Sequence, residues 1–223
     1  MLAGWHSRGA GGVGGGEVSL VANYTDHVFG SATITLPSSG VVGDVAIIAC
    51  TGVTGYGDTL PSGWTQITYT NRTDSYRQFQ RLIYKVLAVE DLGATVTTAP
   101  TALAASYGQT YLVTFTPSFP VTTVIISSVD VDQNTGSPIP TRTKNTSVYD
   151  PPNIVFTAAS SYGGALGVVF GGTFWDVNFV DNNTVVSLGV AYEVQDDANT
   201  DRDVTPTISG QSRICHSFVL NIS

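Results

Sequence analysis

The sequence predicts an all-β fold: one large antiparallel β-sandwich, jelly-roll-like, preceded by an extended Gly-rich arm. Three observations lead there. From Glu17 onward, short runs rich in Val, Ile, Thr, Tyr and Phe are broken by Gly, Pro, Asn and Asp, which is how strands and their turns are written. No long segment repeats its apolar residues at the helical period. Hydrophobic residues make up 42% of the 223-residue chain, enough for a sizeable core. A sandwich of this length is commonly one domain, so residues 17–223 are read as the sandwich and residues 1–16 as the arm.

The strands follow in order. In the first half they are expected at Val18–Asn23, Ala32–Leu36, Asp44–Cys50, Thr65–Tyr69, Arg77–Leu87, Ala94–Thr98 and Gln109–Phe115. The second half adds Thr122–Val131, Asn153–Ala158, Ala165–Phe170, Val177–Val180, Val185–Val194, Thr205–Ser209 and Ile214–Ile222. Val45–Ala49 is apolar at every position, as expected of a strand covered on both faces. In Val185–Val194 the apolar side chains alternate from Val186 to Val194. In the last strand Ile214, His216, Phe218, Leu220 and Ile222 share a face. Short turns are expected at Val89–Leu92 and Thr101–Ser106. The Pro-rich stretch Ser137–Pro152 is expected to be a long loop between sheets.

The arm, MLAGWHSRGAGGVGGG, cannot build a core of its own and is expected to be a random coil when alone. Leu2, Trp5, His6 and Arg8 form its expected interface, and Gly9 to Gly16 its hinge. Burial of Leu2 and Trp5 against another chain would offset the entropy lost on ordering.

Composition narrows the partners. Nine basic residues against seventeen acidic ones give a net charge of −8, the wrong sign for a phosphate backbone. Nucleic acid is therefore excluded as an expected partner. No apolar run is long enough to span a bilayer as a helix, and the start of the chain lacks the features of a secretory signal. Synthesis in the host cytoplasm without a signal peptide is the corresponding expectation. Charged residues are only 12%, about half the usual share, so the polar surface is expected to be largely Thr, Ser, Asn and Gln.

Four pieces carry a resemblance. They are Gly43-Asp44 with Val45–Ala49, then Pro61-Ser62-Gly63-Trp64-Thr65, then Leu82–Val86 with Glu90-Asp91 and Thr95–Thr98. The fourth is Val124–Val131 with its Gly-Ser-Pro-Ile turn, continued in Val190–Tyr192 and Ser217–Leu220. In this order they resemble a β-sandwich domain of tailed-phage virion proteins and some bacterial surface proteins, over most of Ala32 to Ile222. The resemblance implies a virion or cell-surface setting and assigns no catalytic residue. Each piece also has a purely physical role. Gly63 permits a tight turn, Trp64 caps the core, and Asp44 accepts hydrogen bonds from nearby amides.

Candidate chemistry is sparse. Asp130-Val-Asp132-Gln-Asn134-Thr-Gly136 matches the opening of a calcium loop, with Thr141 where the bidentate Glu belongs; an acidic strand-end turn gives the same letters. Asp196, Asp197, Asp201 and Asp203 are spaced irregularly, as in a solvated loop. His216 reads as a hydrogen-bonded core histidine, and His27, in a turn beside Asp26, as a base without a nucleophile. Glu90 and Glu193 would have to face each other to act as a glycosidase pair. Trp175 is the candidate ligand platform, since exposed aromatics on loops stack sugars, against the alternative of a core cap. Arg77, Arg81 and Lys85 fall on one strand face, either as a solvated face with Gln78 and Gln80 opposite or as a basic contact patch. Cys50 and Cys215 read as small buried hydrophobes rather than a bridge.

The expected function is thus that of a non-enzymatic virion structural protein, on the capsid surface or in the tail or fibre, with no cofactor. Its expected partners are other virion proteins and further copies of itself. The alternative is a carbohydrate-binding or adhesion module for host surface glycans.

Overall fold

The computed structural model describes residues 20–29, 33–53, 60–72, 78–98, 108–134, 142–144, 152–163, 167–171, 176–182, 185–195, 202–210 and 212–223. Among them fifteen strands form. The first seven are β1 Leu20–Phe29, β2 Thr33–Thr35, β3 Val45–Val53, β4 Thr65–Asn71, β5 Gln78–Val86, β6 Thr95–Thr97 and β7 Gln109–Pro117. The rest are β8 Val124–Asn134, β9 Arg142–Lys144, β10 Asn153–Tyr162, β11 Gly167–Gly171, β12 Asp176–Asn182, β13 Val186–Gln195, β14 Arg202–Ser209 and β15 Ser212–Ile222. The one helical element among the described residues is a single 3-10 turn, Val89–Asp91, where a turn was expected.

Two five-stranded antiparallel sheets, β1-β7-β3-β5-β4 and β12-β13-β10-β15-β8, face each other. Their shared core contains Val45, Ile47, Leu82, Val113 and Phe115 from the first sheet and Ile154, Phe156, Val190, Phe218 and Leu220 from the second. Tyr192 joins it, edge-on to Phe115 with ring centres 5.1 Å apart. Smaller sheets cover the outer faces. The β2-β6 pair buries Ile34 and Val96 against Ala46, Ile48, Trp64 and Leu112. On the far side β11-β14-β9 brings Phe170 and Ile208 over Ala159 and Cys215. The all-β sandwich is thereby confirmed, with four layers. Val45–Ala49 lies fully buried between two of the cores, as its unbroken apolar run requires.

Both halves of the chain have the same winding. Replacing β1, β3, β4, β5 and β7 by β8, β10, β12, β13 and β15 turns one sheet order into the other. The register agrees as well. Tyr84 lies opposite Ile47 and Thr65, and Tyr192 lies opposite Phe156 and Asp176. In each half a β-bulge falls two residues beyond, at Ile67 and at Asn178. The contacts between the sheets respect the exchange: β7 packs on β13 as β15 packs on β5.

One strand has no counterpart among those expected. Inside the stretch expected to be a loop, Arg142–Lys144 forms β9, paired with Val204, Asp203 and Arg202 of β14. Three residues carry no periodicity, so only their partner strand reveals them.

Candidate functional site

The buried polar groups show what the interior can do chemically. Strand period places Gln109, Thr51, Gln80 and Thr70 in one row across β7, β3, β5 and β4. These four, and Gln78 on the next row, face the second sheet and are buried. The row ties the sheets together. Gln78 Nε2 donates to Ser160 Oγ at 3.0 Å, Gln109 Nε2 donates to the Val186 carbonyl, and Thr70 Oγ1 lies 2.7 Å from His216 Nε2. His216 has no exposed surface, and burial pushes its imidazole down to about 3, so it stays neutral. It is the hydrogen-bonded core histidine that the apolar strand face suggested.

The cationic side chains of β5 are not a contact patch. Arg81 is only 2% exposed, with its guanidinium 4.5 Å from the Tyr69 ring centre. Lys85 Nζ donates to Asp91 Oδ1 at 2.6 Å. Gln78 and Gln80, on the opposite face of the strand, are buried too. The reason is the four-layer packing: both faces of β5 are interior. Burial raises the Asp91 carboxyl, but the Lys85 ammonium and the Ala88 N–H outweigh it and hold it below its ordinary value. Arg77 lies outside the described residues.

Asp130, Asp132 and Asn134 lie within β8 rather than in a loop. The Asp130 carboxylate accepts from Lys144 Nζ, and that buried ammonium also donates to the Ser217 carbonyl at 3.2 Å. A lysine of β9 therefore supplies the positive charge beside Asp130. Among the described residues no three His, Cys, Asp or Glu side chains gather as a metal set. Asp26 and His27 sit in β1 instead of a turn, and the Asp26 carboxylate accepts from the His27 backbone N–H at 2.8 Å. Glu90 follows β5 on the outer side of the first sheet, and Glu193 pairs with Val155 on the outer side of the second, so they do not converge.

Cys50 and Cys215 are free and buried on the outer faces of different sheets. Burial pushes their thiols up to about 11 and about 12. Leu2, Trp5, His6, Arg8 and Trp175 lie outside the described residues. Trp175 directly precedes β12 as Trp64 directly precedes β4, and Trp64 is buried under β2-β6. Gly63 makes the turn before it with φ of +77°.

A groove beside the start of β1 has no counterpart in the sequence expectations. It is lined by Val41, Val42, Thr116, Pro117, Phe119 and Pro120, with Asp44 at its floor, and measures about 320 Å³. The signal was available in the adjacent valines Val41-Val42, which belong to no strand. No protein-family model matches the chain, and no curated protein or solved structure is similar to it. The architecture defines an all-β, four-layer antiparallel sandwich. No helix among the described residues is long and apolar enough to cross a membrane.

Proposed function

We propose that this chain is a non-enzymatic structural protein of a tailed-phage virion, a capsid decoration or a tail or fibre component, held in place by its Gly-rich arm. The observation that carries the reading is the contrast between the two parts of the chain. The sandwich uses its buried ionisable groups to hold its own layers together, as in Lys85–Asp91, Lys144–Asp130 and Thr70–His216. The arm, by contrast, places Leu2 and Trp5 ahead of six of the seven glycines among its sixteen residues. Gly-rich sequences that carry a few apolar anchors can order when those anchors are buried on a partner. The resemblance of the strand motifs to virion sandwich domains supports the setting.

Deleting Met1–Gly16 tests the reading. The shortened chain is expected to stay folded and soluble but to be lost from particles in an incorporation assay. Normal incorporation would remove the arm from the attachment role.

A further inference from the structure

Exposed apolar side chains gather at the point where the arm leaves the sandwich. β1 begins there, with Leu20 opposite Pro117 and Val21 opposite Thr116. Beside it the turn Val41–Asp44 forms one wall of the groove, and Pro117–Pro120 forms the other. Val21, Val41 and Val42 are 58%, 53% and 55% exposed.

The turn is held firmly. The Val41 N–H donates to Asp44 Oδ2 at 3.0 Å, and the Thr116 hydroxyl donates to Asp44 Oδ1 at 2.7 Å. The Gly43 N–H donates to the Leu87 carbonyl, and the Leu87 N–H donates back to the Asp44 carbonyl, both at 2.8 Å. Gly43 takes φ of +97°, which suits glycine. The two adjacent valines carried by this hydrogen-bonded turn face solvent.

We propose that in the free chain this groove seats the arm's own apolar head, Leu2 and Trp5. The length of the arm and its point of attachment favour this occupant. Fourteen residues separate Trp5 from Leu20, and they include the glycine run. A coil of that length has a root-mean-square reach of about 20 Å, while the groove begins beside its anchor. Closing so short a connection costs little and presents the head at an effective concentration in the millimolar range. Chemistry agrees. The bulky apolar residues of the arm cluster in its first five positions, and the groove offers valine, proline and phenylalanine side chains to receive them. The inference adds a resting position to the attachment role proposed above, and it leaves open which neighbour receives the arm in a particle.

Arg8 provides the readout, because no other Lys or Arg precedes Arg72. Trypsin cleavage after Arg8 needs extended chain on both sides, Trp5 included. The rate is measured by mass spectrometry on the full chain at low micromolar concentration. Trp5→Ser and Val42→Asp are each expected to speed cleavage about tenfold, the release of a head of roughly 0.1 mM affinity from a millimolar effective concentration. The double variant is expected to be no faster than either single one, since both break the same contact. Val42 is exposed, so its substitution leaves the fold intact; Pro120→Asp is a second groove variant for which the same acceleration is expected. Wild-type cleavage as fast as that of Trp5→Ser would overturn the proposal. So would groove variants that leave the rate unchanged, or protection that grows with protein concentration, which would make the occupant a second copy. Particle incorporation of the Met1–Gly16 deletion is read separately and does not depend on Val42.

Discussion

His216 shows how a residue's meaning follows from where the fold puts it. Its ring is buried and neutral, bonded through Nε2 to Thr70 on the opposite sheet. In the unfolded chain it takes up a proton near pH 6.5, whereas in the folded chain it does so only near 3. Its contribution to stability is therefore intact above about pH 6.5 and is lost progressively as pH falls toward 3, by up to roughly 1.4 kcal/mol per unit. Urea midpoints from pH 7 to pH 4 should fall more steeply in the wild type than in His216→Gln. Parallel curves would contradict this assignment. The strand pattern of Ile214–Ile222 was enough to place His216 on the core face. It could not place Arg81 and Lys85. A four-residue spacing of cations on a strand reads as a solvent face unless a further sheet covers that face, and β2-β6 with Val89–Asp91 does so here.

At the scale of elements, β3 is the strand most fully legible from its residues. Every side chain from Val45 to Ala49 is apolar, and none is exposed. Ile47 faces the central core and Ile48 the outer one. Ile47→Ala and Ile48→Ala should therefore cost similar amounts, about 2–5 kcal/mol each, measured by chemical denaturation. A loss below about 0.5 kcal/mol for Ile48→Ala, the value of a surface site, would show that β2-β6 does not seal that face. The opposite case is β9. Arg142, Thr143 and Lys144 have no strand signature, and Lys144 is buried because pairing with β14 carries it to Asp130 and Ser217. The Asp-x-Asp-x-Asn spacing was visible in the sequence, but the ammonium that meets its first carboxylate comes from a lysine fourteen residues away.

For the whole molecule, the chief finding is the repeated winding of the two halves, with matched registers and matched bulges. Traces of it stand in the sequence: Gly63-Trp64 before β4 against Phe174-Trp175 before β12, and Tyr84-Lys85-Val86 in β5 against Tyr192-Glu193-Val194 in β13. The halves nevertheless share one core, in which Phe115 meets Tyr192 and Phe156 stacks on Phe218 at 5.2 Å. Since neither half can expose that core without large loss, unfolding should be a single transition. Calorimetric and van't Hoff enthalpies are expected to agree. Two separated heat-absorption peaks would show instead that the halves unfold independently.

The sequence by itself determined the all-β class, most strand positions, the double burial of Val45–Ala49 and the inward face of the last strand. These follow from period and composition, which act locally along the chain. Tertiary structure alone decided that Arg81, Gln78 and Gln80 are interior, that Lys144 meets Asp130, and that Val41 and Val42 stand beside the arm's exit. Each of these depends on a partner strand or turn distant in the chain, and pairing energy between distant segments leaves no mark on the spacing of either one.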